Sequence, residues 1–456
     1  MHKLMLQQIC PSEKAISELS KIFAALRINK LLRASNIRKT CGVSVHQIFE
    51  FIFLLAFYGK KMNNFLGSKR AQDMPGKDAY YRFLNNPTYS WRRFLLRLAV
   101  KITDTFDHLT SDKRVRVFIL DDSILSRPRS KKAELLARIF DHTSHRFIKG
   151  FTMLTLGWSD GYSFVPVDFA MLSSPNAQNR LNDATDSIDK RTNGAKRRAE
   201  AIIEKPKNVL QLIQNALNIG ITADYVLMDS WFTNEPMITG ILEKGLHSIG
   251  MVKQLKQTYN FNGQVMTLAD LRATLPATNR SELIGTRCVQ TKHGIPVKIV
   301  FIQNRNNKRE WLAILSTDIS LDGSEIVRIY GMRWSIEVFF KSAKSLLKLG
   351  SEFQGRNYDM LIAHTTIVFT RYILLEWERR HNQDLRSYGE LFYLFCDEIQ
   401  DIDYETAIRQ LMLFFTEMLG KVSHELSKAI SCQVRHWFAA QPAYIRALMP
   451  NFCCET

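Results

Sequence analysis

Residues 115–121, VRVFILD, have the pattern of a buried β-strand that ends in an acidic side chain, Asp121. Two further apolar runs at 151–158 and 163–172 predict strands, and the Asp160-Gly161 pair between them is typical of a β-hairpin turn. Three consecutive strands with an acid at the end of the first predict an α/β fold. A carboxylate at the carboxyl end of a buried strand lies where such folds place their chemistry.

A second strand of the same kind is predicted at 223–229, ADYVLMD, and it ends in Asp229. A helix is predicted after it at 234–244, followed by a strand at 247–252. Either acid could instead cap the amino end of a helix, a role that Asp often has. The functional interpretation places Asp121 and Asp229 at one edge of a sheet, and the capping alternative stays open.

Residues 330–344, YGMRWSIEVFFKSAK, predict a helix with one carboxylate among basic side chains. At 3.6 residues per turn, five side chains fall within roughly 40° of Glu337, namely Tyr330, Arg333, Lys341, Lys344 and Lys348. Most of the remaining circumference is apolar, which favours a largely buried helix whose polar stripe faces an anionic partner. A surface helix with Glu–Lys pairs four residues apart is the alternative.

The 456 residues carry a formal net charge of +18, and the pI is about 9.6. This excess of positive charge favours a large polyanionic partner, most simply nucleic acid, over a merely basic soluble protein. The seven cysteines form no CxxC pair, which argues against a zinc ribbon or a disulfide framework and fits a reducing cytoplasm. The amino terminus lacks a signal-peptide core, and apolar runs such as 52–57 are too short to span a bilayer.

The chain is long enough for two or three domains. Residues 1–107 are predicted to be a helical, DNA-binding region because basic residues flank its aromatic helices, although an ordinary bundle with solvated charges would look the same. Residues 108–255 and 316–350 are predicted to form the α/β core. Turn residues and short strands at 256–315 predict a β-rich insertion into that core. Residues 351–456 are predicted to be helical and to serve packing or dimerisation.

A dense basic cluster between residues 190 and 198 includes Arg197 and Arg198. Its functional interpretation is contact with the phosphate backbone of a nucleic acid, and its alternative is a solvated linker. Asp141, His142 and His145 could suggest a metal site. Without a fourth ligand, a structural or DNA-facing role is the better interpretation of these three residues.

Three acids therefore stand out, namely Asp121, Asp229 and Glu337. Carboxylates that lie close together repel one another unless cations neutralise them. Hard oxygen ligands without competing His or Cys suit Mg²⁺ or Mn²⁺, and two such ions clamp the attacking and leaving oxygens of a phosphoryl displacement. The basic side chains beside Glu337 would then hold the phosphates of the strand being cut, and they are Arg333, Lys341 and Lys344.

The sequence resembles the DDE transposases of bacterial insertion sequences, specifically the IS-4 group. The signature of this group is Tyr, two residues, Arg, three residues, Glu, six residues and Lys. The chain matches the signature at every spacing with Tyr330, Arg333, Glu337 and Lys344. The ILDDS segment after the first strand, the LMDSWFT segment around the second acid and the β-rich insertion add to the resemblance, which covers roughly residues 108–380.

The resemblance implies a ribonuclease-H-like catalytic core that is interrupted by the β-rich insertion and flanked by the two helical regions. It also implies two divalent metal ions, Mg²⁺ or Mn²⁺, bound by Asp121, Asp229 and Glu337. The resemblance leaves two choices for the first metal ligand, because Asp122 could be aligned in place of Asp121.

The resemblance further implies that Tyr330, Arg333 and Lys344 contact DNA phosphates near the end of the element. Some relatives cut through a DNA hairpin and trap a flipped base with a Trp of the insertion, and Trp311 is the candidate by location. Two other tryptophans are interpreted as packing residues, Trp231 and Trp334.

The implied reaction is metal-dependent hydrolysis at each element end, which frees a 3′-OH, followed by attack of that 3′-OH on target DNA. No nucleotide cofactor is expected, since the sequence has no P-loop. Both terminal inverted repeats must be held together, so a homodimer on double-stranded DNA is expected, without membrane contact, at the nucleoid in the bacterial cytoplasm. The alternatives are a ribonuclease-H-like endonuclease that cuts without joining and a non-catalytic DNA-binding protein descended from a transposase.

Overall fold

The computed structural model describes residues 18–441 except 69, 70, 72, 73, 110, 112, 113, 143, 186, 256, 276–281, 305, 306, 308, 309, 354 and 382. Within this range the chain divides into two compact units. The larger unit consists of residues 26–56 and 60–389, and the smaller unit consists of residues 18–25, 57–59 and 390–441. The functional regions predicted from the sequence have other boundaries and stay a prediction.

The described helices account for the predicted helical regions on either side of the sheet. In chain order they are α1 (Glu18–Ala25), α2 (Ile28–Ala34), α3 (Val45–Leu54), α4 (Met62–Leu66), α5 (Lys77–Leu84), α6 (Trp91–His108), α7 (Asn193–Ala201), α8 (Lys205–Asn218), α9 (Glu235–Leu242), α10 (Leu268–Ala273), α11 (Gly323–Gly331), α12 (Trp334–Ser345), α13 (Tyr358–His381), α14 (Tyr388–Leu419) and α15 (His424–Ala439). None of these helices has the length and apolar character needed to cross a membrane.

The amino-terminal helices of the larger unit follow local signals in the sequence. Ser44 begins α3 with a capping box, because its hydroxyl accepts the backbone N–H of Gln47 and the Gln47 side chain accepts the backbone N–H of Ser44. Phe49 of α3 packs against Trp91 and Phe94 of α6, with ring centroids 6.4 and 5.5 Å apart. Aromatic packing therefore joins these two helices.

One mixed sheet of eleven strands runs through the larger unit. The strands are β1 (Val117–Ser126), β2 (Ala137–Asp141), β3 (Arg146–Ser159), β4 (Phe164–Leu172), β5 (Tyr225–Met228), β6 (His247–Val252), β7 (Thr258–Phe261), β8 (Gln264–Thr267), β9 (Leu283–Gln290), β10 (Pro296–Gln303) and β11 (Trp311–Ser316). Their order is β2-β3-β1-β5-β6-β11-β10-β9-β7-β8, and β4 pairs with the later part of β3.

Five of these strands form the core of the sheet in the order β4-β3-β1-β5-β6. Strands β1, β5 and β6 are parallel, whereas β3 is antiparallel to both β1 and β4. This order and these directions are those of a ribonuclease-H-like fold, which confirms the predicted fold class. The predicted hairpin joins β3 to β4, and its turn contains Gly161 with φ +83°.

The strands of the insertion extend this sheet and do not form a separate layer. Strand β11 pairs antiparallel with β6, and β10, β9, β7 and β8 follow outward. Their buried side chains form a hydrophobic core with those of α10, including Leu271, Val297 and Phe301. Because the edge of β6 would otherwise expose unpaired backbone groups, the insertion also satisfies that edge.

Alternation along β1 sends successive side chains to opposite faces of the sheet. Residues paired across antiparallel strands share a face, so Asp121 lies on the face of Thr155 and Phe169. On that face, Phe369 of α13 packs against Phe169 at 5.0 Å and against Phe339 of α12 at 4.9 Å. Helices α12 and α13 therefore cover the face of the sheet that carries Asp121.

One predicted helix, residues 330–344, is divided in the structure. Helix α11 ends before Met332 and α12 begins after Arg333, so the prediction of a continuous helix is wrong. The backbone N–H groups of Met332, Arg333 and Ser335 bond to carbonyls three residues earlier, in place of four. Such bonds tighten the chain to about three residues per turn. The tightened turn places Arg333 at the amino end of α12, one helical turn ahead of Glu337.

Helix α13 is the most deeply buried helix of the larger unit, and its Arg371 is fully buried. The Arg371 guanidinium donates to the backbone carbonyls of Ile52, Phe53 and Leu347 and to both carboxylate oxygens of Glu352. Since Leu347 follows α12, this one side chain ties the end of α12 to the end of α3. The buried charge is thereby paired and all its donors have acceptors.

The carboxyl-terminal region contains fewer and longer helices than the sequence pattern predicts. The sequence pattern predicts two separate helices at 388–398 and 404–419. The structure has one continuous helix there, α14, so the predicted break is wrong. Within the smaller unit, Phe57 packs against Phe392 and Phe395 of α14 with ring centroids 5.2 and 6.2 Å apart. Aromatic packing therefore joins Phe57 to α14 within the smaller unit, and the predicted role of this region in dimerisation stays a prediction.

Candidate active site

Two of the predicted acids lie side by side at one edge of the core sheet. Strands β1 and β5 are parallel, and Leu120 pairs with Met228, so the next residues are Asp121 and Asp229. One carboxylate oxygen of Asp229 accepts the backbone N–H groups of Trp231 and Phe232, at 3.0 and 3.3 Å. These bonds fix Asp229 in a loop after the strand. The amino end of α9 is capped by Asn234, so the helix-cap alternative for Asp229 is wrong.

Arg333 connects the first strand with the third predicted acid. Its Nη1 lies 3.0 Å from Oδ2 of Asp121, and its Nη2 donates to Oε1 of Glu337 on α12. All three side chains are partly buried, with exposed fractions of 18% for Asp121, 17% for Arg333 and 34% for Glu337. The fold thus brings together acids that are more than two hundred residues apart in the chain.

The carboxyl group of Asp121 is held in an unfavourable environment for a charge. Burial raises its pKa to about 7, the Arg333 guanidinium opposes this rise, and the neighbouring carboxylates of Asp229 and Asp122 add to it. Burial also raises the pKa of the Tyr330 hydroxyl to about 12, and that hydroxyl interacts with Arg333, Asp229 and Asp121. The cluster is therefore short of positive charge, which is a property of sites that take up a cation.

The adjacent acid, Asp122, faces the other side of the sheet because side chains alternate along β1. Its carboxylate forms an ion pair with Lys205 at the start of α8. The Lys205 ammonium also lies 4.2 Å from the centre of the Trp231 ring. Of the two aligned acids, the structure places Asp121 with Arg333 and Glu337, and it places Asp122 in a separate pair.

The signature lysine lies further along the same face of β1. Lys344 Nζ donates to the hydroxyl of Ser123 at 2.7 Å, two residues beyond Asp121. Burial lowers the pKa of Lys344, and the carboxylate of Asp141 opposes that shift. Lys341 is exposed on α12. Lys348 does not share the stripe, because α12 ends at Ser345 and Lys348 adopts a left-handed conformation with φ +64°.

The donor chemistry of the cluster fits a hard divalent cation, since Asp121, Asp229 and Glu337 offer only carboxylate oxygens. The Arg333 guanidinium, however, already bridges Asp121 and Glu337. Within the described part of the chain, no three His, Cys, Asp or Glu side chains are close enough together to hold a metal ion. The carboxylates are therefore of the right chemical type to bind a divalent metal ion. For such an ion to bind, Arg333 would have to release Asp121 or Glu337.

Two of the predicted phosphate ligands are buried in ion pairs, and their contact with DNA stays a prediction. Arg197 and Arg198 have exposed fractions of 7% and 4%. Arg197 pairs with Glu200, and Arg198 pairs with both Glu134 and Asp359. Because a buried charge must be paired, these guanidinium groups join α7 to its neighbours and do not face solvent.

The tryptophans differ in exposure from what their predicted roles suggest, and the predicted DNA contact of Trp311 stays a prediction. Trp311 is partly buried, and its ring packs edge-on against Phe301 in the core of the insertion, with centroids 5.3 Å apart. Trp231 and Trp334, predicted to be packing residues, are 46% and 64% exposed. Each follows a residue of the cluster closely in sequence, since Trp231 comes two positions after Asp229 and Trp334 comes directly after Arg333.

A basic pocket of about 700 Å³ lies beyond the carboxyl end of β1, where the sequence prediction assigned no site. No acid is among the described residues that line it, and its basic residues are Lys61, Arg127, Arg129, Lys131, Lys132 and Arg356. Arg127 donates to the backbone carbonyl of Gly350, which anchors the loop. The SRPRSKK run at 126–132 was the available signal, but its relation to the acids depends on the direction in which β1 leaves the sheet.

Two family models match parts of the chain. A model described as "DDE superfamily endonuclease" matches residues 64–267, and one described as "Transposase DDE domain" matches residues 203–374. Asp121 lies in the first match, Glu337 lies in the second, and Asp229 lies in both.

The transposase for insertion sequence element IS1151 of Clostridium perfringens is 26% identical over 157 residues, covering 29% of this chain and 33% of that protein. The chain thus spans about a third of the length of this curated relative. A cryo-EM structure of the piggyBac transposase synaptic complex with hairpin DNA matches with a TM-score of 0.43 and 11% identity, covering 95% of this chain and 84% of that chain. Residues 64–267 and 203–374 are thus similar to DDE-superfamily endonuclease and transposase domains. The strand order of the sheet is that of a ribonuclease-H-like fold.

Proposed function

We propose that the chain is a DNA transposase of the IS-4 group, which cleaves DNA at the ends of an insertion sequence and joins the freed 3′-OH to target DNA. The observation that carries this proposal is the carboxylate cluster. Asp121 lies within β1 beside Asp229, which follows the adjacent parallel strand β5, and Arg333 links Asp121 to Glu337 on α12. Tyr330 and Lys344 of the same signature lie around this cluster, which supports assigning the signature to one site.

Asp121, Asp229 and Glu337 would hold two divalent metal ions, Mg²⁺ or Mn²⁺. When bound, such ions supply an activated water and stabilise the charge that develops on the attacking and leaving oxygens. Arg333 is placed to exchange a carboxylate for a DNA phosphate, which frees the acids and binds the substrate with one movement. Because burial raises the pKa of Asp121, an ionised carboxylate there needs a nearby cation, so a metal ion would have to take the place of the Arg333 guanidinium.

Basic groups on the face of Asp121 and beyond β1 form a path for the DNA backbone. Lys344 lies at Ser123, three residues before the loop that forms the basic pocket. Arg129 and Lys131 of that pocket would continue the contacts to successive phosphates. The exposed rings of Trp231 and Trp334 can stack on an unpaired base, so they suit base contacts better than Trp311 does.

The remaining assignments concern assembly. The amino-terminal helices would bind the terminal inverted repeats, and the carboxyl-terminal helices would support a homodimer that holds both ends. A protein with this activity would work at the nucleoid in the bacterial cytoplasm, where its double-stranded DNA substrates are.

Cleavage of labelled element-end DNA in the presence of Mg²⁺ tests the proposal. We expect Asp229→Asn and Glu337→Gln to lower cleavage at least about a hundredfold, since each removes a ligand for the ions that supply the chemistry. Asp122→Asn is the matched control, because it removes an acid beside Asp121 on the other face, and it should cut within a few-fold of the wild type. Equal cleavage by all three variants would overturn the metal assignment. Cleavage without joining to a target plasmid would favour an endonuclease.

A further inference from the structure

A pocket of about 510 Å³ lies between α6, α7 and α8, apart from the carboxylate cluster. It is near β4, which lies two strands from β1 in the sheet order. Its walls include Trp91, Arg93 and Arg97 of α6 and Lys196 and Arg197 of α7. A volume of this size is in the range of small-molecule sites, which are roughly 300–1,000 Å³.

Two residues that line this pocket carry buried hydrogen-bond donors without partners among the described residues. Arg197 uses its Nη1 to donate to the Phe169 carbonyl at 2.7 Å and to Glu200 at 2.9 Å. Its Nε and Nη2 are buried and have no acceptor among the described residues. The indole Nε1 of Trp91 is also buried and also has no acceptor among them. Buried donors are almost always satisfied, because leaving one unpaired costs about 1–3 kcal/mol. A ligand for this pocket should therefore offer acceptor oxygens.

The pocket also carries positive charge that its own acids do not neutralise. The two carboxylates nearest to Arg197 are already engaged, Glu200 with Arg197 and Arg92, and Asp168 with Arg92 and Asn215. The third, Asp359, is held by Arg198. These three carboxylates thus already form ion pairs with Arg92, Arg197 and Arg198.

Three further cations, Arg93, Arg97 and Lys196, have no acidic partner within the described parts of the chain. Arg93 and Lys196 are exposed at the mouth of the pocket. Burial together with the neighbouring Arg92 lowers the pKa of Arg197, which agrees with a guanidinium that lacks a full set of anions. An anion that entered here would meet more basic than acidic side chains, because Asp359 is the one acid among the described lining residues and Arg198 already pairs with it.

We propose that this pocket binds a phosphate group, carried either by the DNA backbone or by a free phosphorylated molecule. A phosphate has acceptor oxygens on all sides and forms strong, charge-assisted hydrogen bonds with guanidinium and ammonium groups. It would satisfy the donors of Trp91 and Arg197 and pair with Arg93, Arg97 and Lys196. The inference does not depend on the proposed cleavage activity, because it concerns binding at a separate place.

Thermal unfolding of the full chain with increasing inorganic phosphate, at constant ionic strength, tests the pocket directly. The variant is Arg93→Gln/Lys196→Gln, which changes two exposed side chains and leaves the buried pairs intact. Lys421→Gln/Lys428→Gln is the control, since it removes the same charge from exposed positions of the smaller unit. We expect phosphate to raise the Tm of the wild type and of the control. Its affinity for the variant should be at least about tenfold weaker.

Binding of labelled DNA over a range of salt concentrations identifies the source of the phosphate. If the DNA backbone occupies the pocket, the variant should bind DNA about tenfold more weakly, and the slope of log K against log salt should fall by about 1.8 for two lost contacts. If a free phosphorylated molecule occupies it, DNA binding stays at the control level while phosphate stabilisation is lost. The proposal is overturned if the variant matches the control in both phosphate stabilisation and DNA affinity. The single variant Lys196→Gln gives the same test with a smaller change.

Discussion

The carboxyl group of Asp121 predicts how the stability of the folded protein depends on pH. Burial raises its pKa from the ordinary value of 3.8 to about 7, although Arg333 opposes the rise. Between these values the folded state keeps a proton that the unfolded chain has released. The stability that this group contributes is therefore fully present below about pH 4 and is lost as the pH rises through about 7.

The size of the effect follows from the two pKa values. The shift from 3.8 to about 7 amounts to about three units, and each unit corresponds to about 1.4 kcal/mol. Ionising Asp121 thus costs the folded protein up to about 4 kcal/mol. Asn has the shape of Asp without its charge, so Asp121→Asn should gain up to about 4 kcal/mol over the wild type between about pH 4 and pH 8.

Urea unfolding, followed by circular dichroism at several pH values over that range, measures this difference. Asp122→Asn is the matched control, because it removes a carboxylate from the neighbouring position on the other face, where Lys205 pairs with it. The reasoning is refuted if the stability of Asp121→Asn relative to the wild type stays constant from acidic to alkaline pH.

The same pair of proteins tests the metal assignment without an activity assay. Mg²⁺ binds the ionised carboxylate, so it should raise the Tm of the wild type at about pH 8 by mass action. The Asp121→Asn variant should be stabilised much less, since it offers one acidic ligand fewer. Equal stabilisation of both proteins by Mg²⁺ would show that Asp121 is not a ligand.

Three further changes concern the fold and the DNA path. Arg371→Met leaves the buried Glu352 carboxylate without its guanidinium and should cost about 3–5 kcal/mol in urea unfolding, whereas adding Glu352→Gln should recover part of that loss. Arg129→Gln/Lys131→Gln should lower the salt slope of DNA binding by about 1.8 and leave the Tm unchanged, and an unchanged slope would remove the basic pocket from the path. Trp231→Ala should weaken binding of a DNA end with an unpaired base by about 1–3 kcal/mol, and equal binding would show that its ring does not stack on a base.

Much of the fold could be predicted from local patterns. The apolar runs before Asp121 and Asp229 lie in strands β1 and β5, although β1 continues past Asp121 to Ser126, and the strand predicted at 247–252 is β6. These predictions succeed because a strand buried on both faces must be apolar along its length. The capping-box pattern of Ser44 and Gln47 in the sequence likewise predicts the start of α3, since the Ser44 hydroxyl bonds to a backbone group within the same turn.

Predictions of burial and exposure were less successful, because they depend on residues that are distant in the chain. The sequence pattern predicts an exposed basic cluster at Arg197 and Arg198, but both are buried. Arg198 pairs with Glu134 and Asp359 outside its helix, and Arg197 pairs with Glu200 of α7 and donates to the Phe169 carbonyl of β4. Trp231 and Trp334 read as packing residues, yet both rings are exposed. A local stretch of sequence gives the types of its side chains. Whether those side chains are buried depends on which other segments of the chain fold against them.

The sequence by itself determined the strand-borne acids, the spacing of Arg333 and Glu337, and the positive charge that favours a nucleic-acid partner. These features depend on residues that are close in the chain or on composition. Only the tertiary structure decided that Asp121, and not Asp122, shares a site with Glu337, because that depends on which face of β1 α12 covers. Only the tertiary structure placed donors without partners around the pocket between α6, α7 and α8, since three separate helices must meet to form it.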